Sequence, residues 1–354
     1  MQLLQYILYP FSLVYGFVMQ LRNILFDLRI LPSAHFDKAV ISVGNLSMGG
    51  TGKTPHIEYL IRMLSSSVSV ATLSRGYGRE SKGFILASPG SKVNEIGDEP
   101  LQLVSKFDNI KVAVDEKRKR GLTNLISRYN DLDVVLLDDA FQHRYVRPGL
   151  SILLTSYSKL YSEDHVVPSG TLREFPSGAN RANIIVVTKT PKIFSPISRR
   201  RVIEDLKIQK HQQIFFSYIA YNEPVPLLEP APSAFPLKLL SILLLTGIAD
   251  HSFLQEHIER LCSDIVLLRF NDHHAFTASD VALIETRFNE IPTQKKVIIT
   301  TEKDAMRLRT AELSPLLEHL PIFYIPISIE FHGSDKELFD SRVLGYVNRY
   351  KTSL

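Results

Sequence analysis

An α/β protein is predicted, with one large parallel sheet covered by helices on both faces, a smaller α/β domain after it and a helix ahead of both. Three observations carry this prediction. From residue 39 onward, short continuous Val/Ile/Leu runs alternate with stretches of helical periodicity, the pattern of strands buried on both sides of a parallel sheet. A Pro-rich segment at 224–236, PVPLLEPAPSAFP, divides those runs into two groups, because proline interrupts helix and sheet alike. An apolar helical stretch with no charged side chain before Arg22 precedes the first run.

In that opening stretch, residues 1–30, Leu4, Leu8, Phe11, Val14, Val18, Leu21, Leu25 and Leu28 recur at helical spacing, as one face of an apolar helix requires. A secretory signal would set Lys or Arg ahead of the apolar run and small residues after it, and neither is present. The length matches the roughly 20 residues needed to cross a bilayer, although Gln2, Gln5, Ser12 and Gln20 dilute the run and Pro10 bends it. A membrane-spanning helix, a helix lying in the interface and an ordinary core helix are all compatible with it. Membrane association is the favoured reading, and Arg22 and Arg29 on the C-terminal side favour a cytoplasmic body.

The strands of the larger domain, residues 31–223, are expected at 39–43, 68–73, 111–114, 134–137, 151–154 and 184–188, with helices at 55–64, 99–107 and 116–128. Further strands follow at 214–218, 239–245, 266–268, 296–300 and 322–325, with helices near 252–261, 279–289 and 335–349. The smaller domain is placed at 224–354, its last helix able to pack back on the larger one.

The composition narrows the function. With 354 residues, 45% apolar and 22% charged, the chain is neither disordered nor fibrous and has length for a real core. Lys and Arg (41) exceed Asp and Glu (37) by four, short of the dense basic face of a nucleic-acid binder. One cysteine, Cys262, excludes an internal disulfide and a Cys-based zinc site.

The first strand runs into Gly44-Asn45-Leu46-Ser47-Met48-Gly49-Gly50-Thr51-Gly52-Lys53-Thr54-Pro55. A glycine-rich turn between a buried strand and a helix lets backbone N–H groups close around phosphate oxygens. In the phosphate loop GxxxxGK(S/T), Lys53 reaches the β/γ-phosphates and the Thr54 hydroxyl sits on Mg²⁺, with Gly49, Gly50, Thr51 and Gly52 forming the cradle. Ser47 occupies the place of the first glycine, while the GGTGKT core is intact. A second apolar strand ends in Asp138 and Asp139, where one carboxylate of the pair orients Mg²⁺ beside the phosphates. The implied cofactors are ATP and Mg²⁺.

A partner-regulated ATPase or GTPase switch, or a metallochaperone, is the competing class. Related ATPases carry lysine in the order KGGxGKT; here that position is Met48. Thr188-Lys189 and Lys303-Asp304 invite a guanine-specificity reading, but Lys-Asp after a strand equally caps a helix. The basic run 117–120 reads as a solvated helix face. Arg75, Arg173 and Arg181 are candidates for anionic groups, at a γ-phosphate or a lipid phosphate. Asp98, just before a helix with Pro100 in its first turn, has the position of an N-cap.

Taken in order, GGTGKTP, Ser74-Arg75-Gly76-Tyr77-Gly78, Gly97-Asp98-Glu99-Pro100 and DDAFQHR resemble the tetraacyldisaccharide 4′-kinases of lipid A biosynthesis. Pro168-Ser169-Gly170-Thr171-Leu172-Arg173-Glu174, Asp272-His273-His274-Ala275-Phe276 and Thr301-Glu302-Lys303-Asp304 extend the resemblance over residues 1 to 330. One departure is visible: Phe175 intervenes before Pro176, where the family pattern has proline directly after Leu-Arg-Glu.

The resemblance implies ATP-dependent phosphorylation of the 4′-hydroxyl of a tetraacylated glucosamine disaccharide 1-phosphate. The reaction would take place at the cytoplasmic face of the bacterial inner membrane, with membrane lipid met through the N-terminal helix. It implies a P-loop domain joined to a smaller α/β domain and no obligatory protein partner. It assigns the catalytic carboxylate to Asp98, with a histidine at His273 or His274 as proton relay and Lys53 in the catalytic set. Arg75, Gln142, His143, Arg173 and Glu174 become substrate contacts.

Overall fold

The computed structural model describes residues 2–229, 235, 241–248, 250–272 and 274–351. The chain forms two compact units, one of residues 1–219 with 329–354 and one of residues 220–328.

In the first unit, α1 (Gln2–Asp27) leads to β1 (Ala39–Asn45), buried at every position, and α2 (Lys53–Leu64). Then come β2 (Val70–Ser74), β3 (Ile85–Leu86), α3 (Val93–Ile96), α4 (Asp98–Lys106), β4 (Lys111–Val114) and α5 (Arg118–Arg128). They are followed by β5 (Val134–Asp138), β6 (Leu150–Ser156), β7 (Ile184–Thr188), α6 (Pro196–Leu206) and β8 (Gln213–Tyr221). β2 starts later than the sequence predicts because the Val68 N–H still bonds Leu64 O at 3.1 Å, closing the end of α2. α5 also starts later, because the Asp115 carboxylate takes the Lys117 N–H at 2.8 Å and forms a turn there.

In the second unit, β9 (Val225–Pro226), β10 (Ser241–Thr246), α7 (Ser252–Ile258), β11 (Asp264–Arg269) and α8 (Ala278–Asn289) precede β12 (Lys296–Thr301). α9 (Glu302–Leu308), α10 (Ser314–Leu317) and β13 (Ile322–Ile325) complete it. β14 (Ile327–Phe331) and α11 (Asp335–Lys351) carry the chain back to the first unit. Of the Pro-rich segment, residues 230–234 and 236 lie outside the described residues, as do 239 and 240 of the strand expected at 239–245.

The large sheet has the order β14-β8-β7-β6-β1-β5-β2-β4-β3. β1, β2 and β4 to β8 pair in parallel, and β3 is antiparallel to β4. Strand alternation sends Ile41, Leu136, Ile152 and Val186 to a face covered by α2, α4 and α11, and Val40, Val135 and Leu137 to a face covered by α5. That double covering is what the continuous apolar runs required. α11 is pinned by Tyr346, whose hydroxyl lies 3.1 Å from both the N and the O of Val40. The smaller sheet, order β11-β10-β12-β13-β9, is parallel except for β9, and has α8 and α9 over one face and α7 over the other.

α1 inverts the arrangement of an ordinary amphipathic helix. Its polar side faces the protein: Ser12 Oγ bonds Ser169 Oγ at 2.8 Å, and Asn23 Nδ2 bonds Glu174 Oε2 at 2.7 Å. Its apolar side faces outward, with Tyr6, Phe11, Val14 and Phe17 between 64% and 77% exposed. Gly16 makes the docking possible, since a Cβ there would stand 2.4 Å from the Phe175 ring. Phe175, the departure from the family pattern, is thus the residue against which α1 seats. The core-helix alternative fails on the exposed apolar face, and no helix among the described residues is long and apolar enough to cross a membrane.

Candidate active site

β1 lies between β5 and β6, with β2 beyond β5 and β7 beyond β6. The strand order reverses at β1, and the crevice at such a point, outside the strand C-termini, is where open α/β sheets bind ligands. The phosphate loop occupies it. Lys53 Nζ stands 3.4 Å from Asn45 Oδ1 and 3.6 Å from Asp139 Oδ1. Gly49 and Gly50 are exposed, Gly52 and Thr54 are half-buried, and Thr51 is buried, its carbonyl taking the Thr188 hydroxyl at 2.9 Å. Ser47 is tolerated because it forms an antiparallel bridge with Leu172 and its φ is not positive. The outer wall is segment 171–173, tied on by Met48 N to Thr171 O at 2.6 Å and Arg173 N to Leu46 O at 2.7 Å.

The two carboxylates after β5 have opposite electrostatics. Asp138 is 2% exposed and its Oδ1 has no hydrogen-bond partner among the described residues. Burial, reinforced by Glu99 and Asp139 and opposed by Lys53 and Arg118, pushes its pKa up to about 7. Burial also acts to raise Asp139, but Lys53 and Arg173 overcome it and hold that carboxyl below its usual range. Arg173 grips Asp139 with both nitrogens, at 2.9 and 3.2 Å, the planar fork matching a carboxylate. A buried carboxylate oxygen without a hydrogen-bond partner among the described residues, at the end of the strand next to the one that feeds the phosphate loop, is a donor that suits a small divalent cation completed by phosphate oxygens and water.

Asp138 also sets a pH dependence. Its folded pKa lies above the ordinary 3.8, so the stability it contributes is full below that value and is lost as pH rises through about 7. Asp138→Asn is therefore expected to raise the melting temperature above pH about 8 without nucleotide, the gain shrinking toward acid pH. Calorimetry across pH checks this, and a lower melting temperature at the alkaline end would refute it.

Glu174 is 1% exposed and has both oxygens engaged. Oε1 accepts from Arg181 at 2.8 Å and Gln142 Nε2 at 3.1 Å, and Oε2 accepts from Asn23. Gln142 also bonds Asn45 O at 2.9 Å, and its own carbonyl takes Arg22 at 3.2 Å. Arg181 lies over the Phe141 ring at 4.7 Å. This network joins α1 to the loop that follows β5. His143 Nε2 accepts the Arg118 N–H at 3.1 Å, and burial together with Arg118, Arg22 and Arg75 pushes its pKa down to about 4.

The basic run is not simply a solvated face. Arg118 is 3% exposed and donates to Asp115 O at 2.8 Å and Asp138 O at 3.1 Å. Arg120 pairs with Asp115 and Glu116. A run of four basic residues in sequence gives no sign of which one turns inward. Arg75 is exposed and forms no hydrogen bond or ion pair among the described residues.

Asp98 is the first residue of α4, 6% exposed. The cap is Gly97, whose φ of 91° requires glycine and where a Cβ would meet Tyr77 O at 2.8 Å. The N-cap position expected for Asp98 is therefore one residue off. Its Oδ1 accepts the Glu99 N–H at 2.9 Å. Sequence reasoning misses Asn45 and Arg118 for the site, and meets Thr188 only in the guanine-specificity reading. Asn45, lying directly ahead of the glycine-rich turn, carried a usable signal.

In the second unit, His273 lies outside the described residues. His274 Nε2 is 3.0 Å from Asp280 Oδ2, and its ring stacks on Phe270 at 4.7 Å. Asp304 is wholly buried. It accepts from Gly247 N and Thr301 Oγ1, pairs with Arg307 at 3.0 Å, and donates its own N–H to the Thr301 cap. That is the helix-capping reading of this motif rather than a base-recognition one.

The model of the family Tetraacyldisaccharide-1-P 4′-kinase (LpxK) matches residues 4–347. The chain belongs to this family. The tetraacyldisaccharide 4′-kinase of Flavobacterium johnsoniae is 46% identical over 347 residues, 98% of this chain and 98% of its own length. That of Phocaeicola vulgatus is 44% identical over 348 residues, covering 97% of this chain and 95% of its own. Among solved structures, the crystal structure of the "apo" form of LpxK from Aquifex aeolicus in complex with ATP matches with a TM-score of 0.72. It is 25% identical and covers 97% of this chain and 99% of that one. Membership in the LpxK family excludes the regulated-switch and metallochaperone classes.

Proposed function

We propose that the protein transfers the γ-phosphoryl group of ATP to the 4′-hydroxyl of a tetraacylated glucosamine disaccharide 1-phosphate, at the cytoplasmic face of a membrane. The observation that carries this reading, beside family membership, is the convergence of Lys53, Asp139 and Arg173 at the mouth of the phosphate loop. Lys53 and the loop amides hold the triphosphate. Asp138 and Thr54 would hold Mg²⁺, whose contribution when bound is to neutralise charge on the phosphate oxygens.

Asp98 takes the proton of the attacking hydroxyl as the new O–P bond forms and the bond to the β-phosphate oxygen breaks, releasing ADP. The proton-relay role goes to His273 or His274. Arg75, exposed, and Arg173, held by Asp139, serve the anionic groups of donor and acceptor. Gln142 and His143 line the sugar side, with Glu174 positioning Gln142 and Arg181. ATP as donor supports a reaction on the cytoplasmic side.

The test uses purified protein, Mg²⁺, γ-labelled ATP and the tetraacyl disaccharide 1-phosphate in mixed micelles. Label is expected on the lipid at the 4′ position. ATP consumption without lipid labelling would overturn the reading.

The outward apolar face of α1 supports membrane docking. Because the polar face of α1 anchors Glu174, deleting the helix would disturb the site, so substitution is the cleaner probe. Phe11→Glu with Val18→Glu removes two exposed apolar side chains, each worth about 1.5–3 kcal/mol when withdrawn from water. Sedimentation with phospholipid vesicles is expected to fall about a hundredfold, with the melting temperature unchanged. Undiminished sedimentation would refute the anchor.

A further inference from the structure

Phosphate-loop amides can turn toward a ligand only when the carbonyls of the same planar peptide units turn away. Each buried carbonyl then requires a donor. At the end of this loop two carbonyls are met in that way. Thr51 O takes the Thr188 hydroxyl. Gly52 O takes Nδ1 of His56 at 2.7 Å, beside the helical His56 N–H at 3.2 Å.

His56 lies in the first turn of α2, 2% exposed, with its Nε2 3.1 Å from Ser217 Oγ on β8. An imidazole nitrogen facing a carbonyl must carry the proton, so Nε2 is the acceptor of the Ser217 hydroxyl. Ser217 is itself fixed, its carbonyl accepting from Thr190 N at 3.1 Å and Thr190 Oγ1 at 2.9 Å. Thr190 Oγ1 in turn lies 2.8 Å from His332 Nε2. The imidazole therefore has one orientation and one tautomer.

We infer that His56 is a positioning residue for nucleotide binding: by holding the Gly52 carbonyl it aims the N–H of Lys53, in the same peptide unit, into the phosphate cradle. Nothing in the GGTGKT pattern requires a histidine at this place. The contact is made with the loop alone, so it acts on ATP in the ground state and transition state alike. Its loss raises the KM for ATP and leaves kcat and the KM for the lipid in place.

The inference rests on the nucleotide-site reading of residues 49–54 and is independent of the lipid acceptor. Equilibrium binding of ATP with Mg²⁺ is measured by calorimetric titration, alongside steady-state constants and melting temperatures. His56→Phe keeps a ring and removes the donor, and is expected to weaken ATP binding about three- to tenfold. His56→Asn, whose amide nitrogen falls near the Nδ1 position, is expected to restore binding to within about twofold. His56→Gln, whose amide reaches toward Ser217 instead, is not. A merely structural role would move the melting temperature of the Asn and Gln variants without separating their ATP affinities.

Unchanged ATP binding in His56→Phe, or equal affinities for the Asn and Gln variants, would overturn the inference. Should the Phe variant fail to fold, the Asn–Gln comparison decides by itself. Absence of ATP binding by the unaltered protein would overturn the nucleotide-site reading, and the inference with it.

Discussion

Asp98→Asn is expected to lower phosphoryl transfer by about 10²–10⁴-fold while leaving ATP affinity intact, the range associated with loss of a general base. The substitution is close to isosteric, and an amide oxygen can still accept the Glu99 N–H that the carboxylate accepts now. Gly97, which shapes the turn into α4 at φ 91°, is untouched, so the backbone is expected to hold. What disappears is the capacity to take the hydroxyl proton. Single-turnover transfer to the lipid, measured beside ATP titration, separates the two effects. Near-full transfer in this variant would remove Asp98 from the base role.

Lys53→Ala is expected to reduce transfer by about 10²–10³-fold, the usual cost of losing one aimed electrostatic stabiliser. The ammonium group lies 3.6 Å from Asp139 and opposes the upward shift of Asp138 as well. Removing it raises the pKa of both carboxyls, because a nearby cation favours their ionised form. The residual activity should therefore require a higher pH than the parent's. Steady-state transfer across pH reads both consequences. Full activity, or an activity onset shifted toward acid, would contradict the role given to Lys53.

Other parts of the site depend on residues far apart in the chain. The Arg173–Asp139 fork joins positions 34 apart, and the Asn23–Glu174 bond joins positions 151 apart. Arg118 shows the same limit from the other direction. In sequence it is one basic residue among four, and burial of its guanidinium against Asp138 O arises only because the first residue of α5 meets the last residue of β5 in the fold.

By itself, the sequence determined the type of most longer elements, the parallel character of the sheets, the phosphate loop and the family, but not short or edge elements such as β3 and β14, nor α6. What it determined is written in short-range signals: apolar runs, glycines ahead of Lys53 and Thr54, and motifs met in a set order. Tertiary structure alone decided which face of α1 turns inward, how the two carboxylates after β5 differ, and what holds the loop carbonyls. The same periodic helix could present either side, and only docking against Ser169, Glu174 and Phe175 selects the polar one. Asp138 and Asp139 are adjacent and alike in sequence. They diverge because one side chain is buried with an oxygen unpartnered among the described residues, while the other meets Lys53 and Arg173. Local periodicity specifies an element, whereas strand order and burial specify its neighbours, and charge and hydrogen-bond energies depend on those neighbours.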